Sequence, residues 1–114
     1  MVDSRRILAA GAGLALLLAA GAAAQSGESE KPGGATLYAQ RTCIACHGPD
    51  AKTPILPEYP KLAGQNPAYM LQQMKDIKSG ARSNGNTAAM RGVMHLVTED
   101  EMQVLAQYLS SLQP

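Results

Sequence analysis

The chain reads as an all-α protein of three to four short helices joined by loops. Three observations carry that expectation. No window sustains an alternation of apolar and polar residues, so no strand is expected. Two segments, opening at Asn66 and at Thr98, have helix-start chemistry followed by apolar residues at helical spacing. The 114 residues are 46% apolar, yet they include no Trp, no Phe and only four Tyr. A core so poor in large rings needs apolar volume from another source. The length allows one small domain and excludes a large multidomain enzyme. A formal net charge of +1 supplies no basic field for nucleic acid, and two cysteines are too few for a disulfide-rich scaffold.

Taken in order, Arg5 and Arg6 lead into an apolar stretch from Ile7 to Ala24, made almost wholly of Ala, Leu and Gly and ending in Ala22-Ala23-Ala24. A positive start, an apolar middle and a small-residue end make residues 1–24 a secretory signal peptide, which places the protein in the periplasm. The alternative is a retained membrane anchor. The stretch has 18 residues, just under the ~20 that a spanning helix needs. Removing it takes Arg5, Arg6 and Asp3 from a chain of 10 basic and 9 acidic residues, leaving a formally neutral protein. Residues 25–33 are Gln, Gly, Ser, Glu, Lys and Pro with little to bury, a flexible linker. The domain is then 34–114, about 80 residues, a size that is marginal unless something reinforces it.

Thr36 to Thr42 is a short helix candidate, with Leu37 and Arg41 one turn apart. Pro49, Pro54, Pro57 and Pro60 rule out a continuous helix through the next stretch. Asn66-Pro67 opens a helix with Asn as N-cap and Pro in the first position. Met70, Met74 and Ile77 follow as its buried stripe, and Gly80 closes it as a left-handed cap. Thr98-Glu99-Asp100-Glu101 is a capping box for the last helix, whose apolar face is Met102, Leu105, Ala106, Leu109 and Leu112. The residues between Gly80 and Thr98 are expected to be a long loop. Ala88, Ala89, Met90, Val93 and Met94 within it should pack on something the helices do not provide.

Cys43-Ile44-Ala45-Cys46-His47 answers what that is. C-x-x-C-H is the attachment motif of c-type haem. Two thiols add across the two vinyl groups on one edge of the porphyrin, and the following histidine is carried under the ring to the iron. A dithiol redox site needs a βαβ context that is absent here. A zinc site needs four ligands; only His47 and His95 could join the cysteines, and His47 directly after Cys46 is poorly placed for a tetrahedral site. A structural disulfide would close a loop too short to add much stability. One covalent haem c, with its iron, is therefore the expected cofactor.

At this point the sequence resembles a family, the class I c-type cytochromes of the small bacterial periplasmic monohaem kind. It is most similar to one half of the dihaem members. The resemblance runs from about Gly34 to Leu112. Gly34 and Tyr38 carry it before the motif, Cys43 to Gly48 at the motif, and Tyr59-Pro60-Lys61-Leu62-Ala63-Gly64-Gln65 after it. Tyr69, Gln73, Met74, Ser79-Gly80, Met90 and Tyr108-Leu109 complete it. It implies the cytochrome c fold, helices wrapped around one haem with the first and last crossing.

The sixth iron ligand has several candidates. Met70, Met74 and Met102 lie on helix faces that read as core, where methionine is usually filler. Met90 and Met94 remain, with His95 or an open site behind them. The resemblance implies Met90, which stands eight residues before Thr98 as the family's ligand methionine does, with Met94 the second choice. His47 and Met90 are then the two axial ligands. The histidine's second ring nitrogen is expected on a backbone carbonyl between Pro54 and Pro57.

A thioether favours ferrous iron, and two filled axial positions leave no room for substrate. That makes the protein a single-electron carrier or an electron-transfer subunit rather than an enzyme. Its partners would be redox proteins: an oxidase, reductase or dehydrogenase. It would meet a membrane only if the N-terminal segment is retained, and would be a monomer or weak dimer. The competing reading is a haem protein whose open or displaceable sixth site handles peroxide or a small gas. Docking is expected at an apolar haem edge beside Ile44, Ala45, Ala88 and Ala89. Lys52, Lys61, Lys75, Lys78, Arg82 and Arg91 are the scattered charges that could otherwise form a basic rim.

Overall fold

The computed structural model describes residues 11–13, 15 and 30–114. The expected signal segment, apart from those four positions, and the first part of the linker lie outside the described residues. Five helices follow in order: α1 (Gly34–Gln40), α2 (Cys43–His47), α3 (Pro67–Ser79), α4 (Thr87–Met94) and α5 (Glu99–Ser111). There is no strand among the described residues, so the all-α expectation holds. Five is one more than the upper expectation, and the two that the sequence did not place are short: α2 is the motif itself, and α4 lies inside what the sequence read as a loop.

Local chemistry accounts for the helix boundaries. Asn66 caps α3 by accepting the Tyr69 N–H at 3.1 Å, and Gly80 ends it at φ +87°. The Thr98 hydroxyl accepts from the Glu101 N–H at 3.2 Å, while the Glu101 side chain accepts from the Thr98 N–H at 3.1 Å, closing the capping box as expected. The first helix starts at Gly34 rather than Thr36, and it stops at Gln40. Thr42 turns left-handed, φ 65°, and a β-branched residue in that region ends the helix and redirects the chain.

Helix α5 is the central element, packed against α1 on one side and α3 on the other, with α4 against α3 and α2 against α1. Leu37 and Tyr38 of α1, Met70, Met74 and Ile77 of α3, Met94 of α4 and Met102, Leu105, Ala106 and Leu109 of α5 share one core. Where α1 meets α5, a Cβ on Gly34 would stand 2.6 Å from Tyr108 Cγ and overlap Tyr108 Cβ, so only glycine permits that approach. The Tyr38 and Tyr108 rings then meet tilted, centroids 6.2 Å apart, within the range that favours aromatic pairs. Among the described residues no helix is long and apolar enough to cross a membrane.

Candidate haem site

The motif helix is held at both ends. At its start, left-handed Thr42 reverses the chain out of α1. At its end, Gly48 takes φ +86° and donates its N–H to the Ile44 carbonyl at 3.1 Å. A Cβ at Gly48 would overlap the Thr53 carbonyl, so glycine is required twice over. Two further bonds fix this end. The buried Tyr38 hydroxyl donates to the Gly48 carbonyl at 2.5 Å, and the Ile55 N–H donates to the Cys46 carbonyl at 3.0 Å. Burial, and to a lesser degree the Cys43 thiol, push the Tyr38 pKa up to about 12, so its proton stays on this bond throughout the physiological range.

His47 is buried, and its Nδ1 lies 2.9 Å from the Pro60 carbonyl. A carbonyl can only accept, so Nδ1 carries the proton and Nε2 keeps its lone pair. Burial lowers the His47 pKa below the ordinary imidazole value, against the opposing pull of the Pro60 carbonyl. A neutral imidazole with a fixed tautomer is the form that binds a metal. The acceptor is Pro60, not a carbonyl between Pro54 and Pro57. In that stretch Ile55 is engaged with Cys46, and the Tyr59 N–H closes a turn on the Leu56 carbonyl at 3.1 Å. Only after that turn does the chain come back over the imidazole, with the Tyr59 ring 6.4 Å from it.

Cys43 and Cys46 are separate thiols. Burial pushes the Cys43 thiol up. Both cysteines and His47 line a cleft of 530 Å³, inside the span of about 300–1,000 Å³ in which cofactor sites fall. The cleft's walls are mainly apolar: Leu62, Met70, Met74, Ile77, Val93, Leu105 and Leu109 contribute to it. This is the room that a ring-poor core leaves for a flat apolar cofactor. A large apolar space with a pair of thiols and a prepared imidazole on its border fits haem c.

Met90 and Met94 both line this cleft. They lie one turn apart on α4 and so share a face. The expected loop is thus a helix. Met90, Val93 and Met94 at i, i+3 and i+4 are the signal that marks it; Asn and Gly just before it, and its eight residues, hide it. Met94 is fully buried in the core, while Met90 is half-buried. His95 is exposed at the helix end and is not among the lining residues. Met70 and Met74 are buried as expected and also form cleft wall, whereas Met102 lies in the core away from it. Sequence reading did not single out Pro60 as the imidazole's anchor, nor the Tyr38 hydroxyl or Arg82 for the site.

A small all-helical domain with a C-x-x-C-H helix on the border of an apolar cleft has the architecture of a covalent-haem protein. Residues 33–113 match the cytochrome c family, and the chain belongs to that family, whose cofactor is covalent haem c with its iron. It is 38% identical to cytochrome c4 of Azotobacter vinelandii over 78 residues, 63% of this chain and 37% of the relative. It is 34% identical over 98 residues to the thiosulfate dehydrogenase electron acceptor of Stutzerimonas stutzeri (strain A1501), 86% of this chain and 44% of that one. The fold matches the crystal structure of reduced recombinant cytochrome c4 from Pseudomonas stutzeri with a TM-score of 0.62 and 32% identity, covering 70% of this chain and 46% of that chain. The chain spans less than half the length of these relatives. The expected resemblance to one half of a dihaem class I cytochrome is upheld.

Proposed function

We propose that this protein is a periplasmic single-electron carrier or electron-transfer subunit with one haem c, joined through Cys43 and Cys46 and ligated by His47 and Met90. The observation that carries the reading is the His47 ring: buried on the cleft border, its Nδ1 spent on Pro60 and its Nε2 free. Bound haem c would supply a ferric/ferrous couple. Pro60 keeps the imidazole in one tautomer, which raises its basicity as a ligand. Met90 and Met94 both line the cleft from one face of α4; Met94 is fully buried in the core cluster, whereas Met90 is only half-buried, which supports Met90 as the thioether with freedom to reach the iron. The apolar walls exclude water, so a change of charge is met by little solvent rearrangement. Ile44, 38% exposed between the two cysteines, is the contact point for a partner. The electron-acceptor name of the Stutzerimonas stutzeri relative favours a dehydrogenase as donor, among the redox proteins that would serve. The positive, apolar, small-residue order of residues 1–24 supports export.

The test is the optical spectrum and potential of the exported holoprotein. Ferric wild type should show the weak red band of sulfur on iron. Met90→Ala should abolish the band and lower the potential, while Met94→Ala should keep it. The reverse pattern moves the ligand to Met94. A wild type that lacks the band and binds peroxide or a small gas at iron would establish the catalytic alternative instead.

A further inference from the structure

Helix α4 carries Met90 but has little of its own to keep it in place. It has eight residues and no side-chain hydrogen bond at its Asn86 cap, and Gly92 in its interior weakens it further. The end of α3 supplies the hold. A Cβ built on Gly80 would stand 3.1 Å from Arg91 Cζ, 3.1 Å from Nη2 and 3.3 Å from Nη1. Three guanidinium atoms at nearly one distance mean that the plane of the group lies flat over the glycine. Gly80 is the left-handed residue that closes α3, so the Arg91 cation sits at the negative end of that helix's dipole. Arg91 takes part in neither ion pair among the described residues; its contact with α3 is packing and dipole rather than a salt link. Just beyond α4, the Lys78 ammonium donates to the Val97 carbonyl. The last turn of α3 thus grips α4 itself and, separately, the chain that leaves it. Neither Gly80 nor Arg91 lines the cleft, but Arg91 is the chain neighbour of Met90.

We infer that Arg91, laid flat on Gly80, is a positioning residue that holds Met90 at the iron. This rests on the reading of Met90 as the axial ligand. A thioether is a neutral ligand that another donor can displace, and its hold depends on how firmly the helix bearing it is fixed. Because Lys78 still ties the chain beyond α4 to α3, loss of the Arg91 contact lets α4 swing without unfolding it. Glycine at position 80 is then needed for two reasons. It accepts the left-handed backbone, and it leaves the space in which the guanidinium lies.

The experiment titrates imidazole into the ferric holoprotein and follows the loss of the sulfur-to-iron band. Imidazole binds only where Met90 has left the iron, so its apparent affinity reads the population of that state. Arg91→Ala should bind imidazole about tenfold more tightly than wild type, the weight of one lost contact, with its helix content unchanged by circular dichroism. Arg91→Lys should fall between the two, since it keeps the charge at the end of α3 but not the flat group. Gly80→Ala should also bind imidazole more tightly, and in the Arg91→Ala background it should add little, because its Cβ then has no guanidinium to displace. On heating, Arg91→Ala should lose the band well below the temperature at which it loses its helix. Unchanged imidazole affinity in Arg91→Ala overturns the inference. So does a band that disappears only together with the helix, or a Gly80→Ala effect that persists in full in the double variant. Should Gly80→Ala fail to fold, the two Arg91 variants still decide. A wild type without the sulfur band, or a Met90→Ala variant that keeps it, would instead overturn the ligand reading, and both are seen before any Arg91 variant is made.

Discussion

Arg41 and Glu101, 60 residues apart in the chain, meet at one carboxylate oxygen: Arg41 Nε lies 2.9 Å and Nη2 2.7 Å from Glu101 Oε2. The other oxygen accepts the Thr98 N–H. One side chain therefore completes the cap of α5 and ties that helix to the residue just before left-handed Thr42 and the motif helix. The position of the haem-binding segment relative to the central helix is thereby linked to a single ionised group.

Acid should expose that link. Partial burial disfavours the Glu101 charge, but the Thr98 N–H and the Arg41 guanidinium outweigh it and hold the carboxyl below the usual carboxylate range. A pKa lower in the folded state means that folding favours the ionised form. Its stabilisation is complete above the ordinary glutamate value of about 4.3 and is lost as pH falls through the depressed one. Glu101→Gln should be less stable than wild type at neutral pH, and the difference between their urea midpoints should shrink on acidification. A gap that stays constant into strong acid would locate the effect elsewhere.

The contact of Gly34 with Tyr108 should tolerate no side chain. Gly34→Ala forces α1 away from α5 and should cost about 1–3 kcal/mol as an overpacked substitution. Nothing stands near the Cβ that Gly33 would gain, so Gly33→Ala should cost less, about 0.5 kcal/mol as an N-cap change. Thermal melting of the two holoproteins side by side decides it, and equal losses would refute the packing argument.

Haem should be a condition of folding. Three of the five helices have eight residues or fewer, below the ~12–15 at which isolated helices become marginal, and the cleft they border lacks protein atoms to fill it. The Cys43→Ala, Cys46→Ala double variant should be colourless with far less helix by circular dichroism. A folded, fully helical product would show the core to be self-sufficient.

Docking should respond to Ile44 more than to charge. Ile44 is exposed beside two cysteines, with Ala45, Ala88 and Ala89 also exposed. Ile44→Lys should slow electron transfer to a partner, and the wild-type rate should fall little as salt brings the Debye length to about 10 Å. A steep salt dependence with Ile44→Lys harmless would assign recognition to the lysines and arginines instead.

The capping box at Thr98, the Asn66-Pro67 helix start, the Gly80 stop and the haem motif were all legible in the chain, because each depends on chemistry within four or five residues. The same holds for the buried faces of α3 and α5, whose periods repeat over 13 residues each. Helix α4 was not legible as a helix: eight residues hold too few turns for a period to stand out from neighbouring Asn and Gly, and its packing on α3 stabilises what its propensity does not. Nor could the chain choose Pro60 over the Pro54 to Pro57 carbonyls. The turn closed by Tyr59 and Leu56, and the engagement of Ile55 by Cys46, decide which carbonyl returns to His47. By itself the sequence determined that this is an all-helical, covalent-haem protein of the cytochrome c kind, since covalent chemistry and caps are local. Only the tertiary structure decided that Met90 and Met94 both border the cleft, Met94 fully buried and Met90 half-buried, that Arg82 alone of the described Lys and Arg residues lines it, and that Gly34 must be bare. Burial and close approach are properties of segments far apart in the chain, and they exist only once α5 has brought α1 and α3 together.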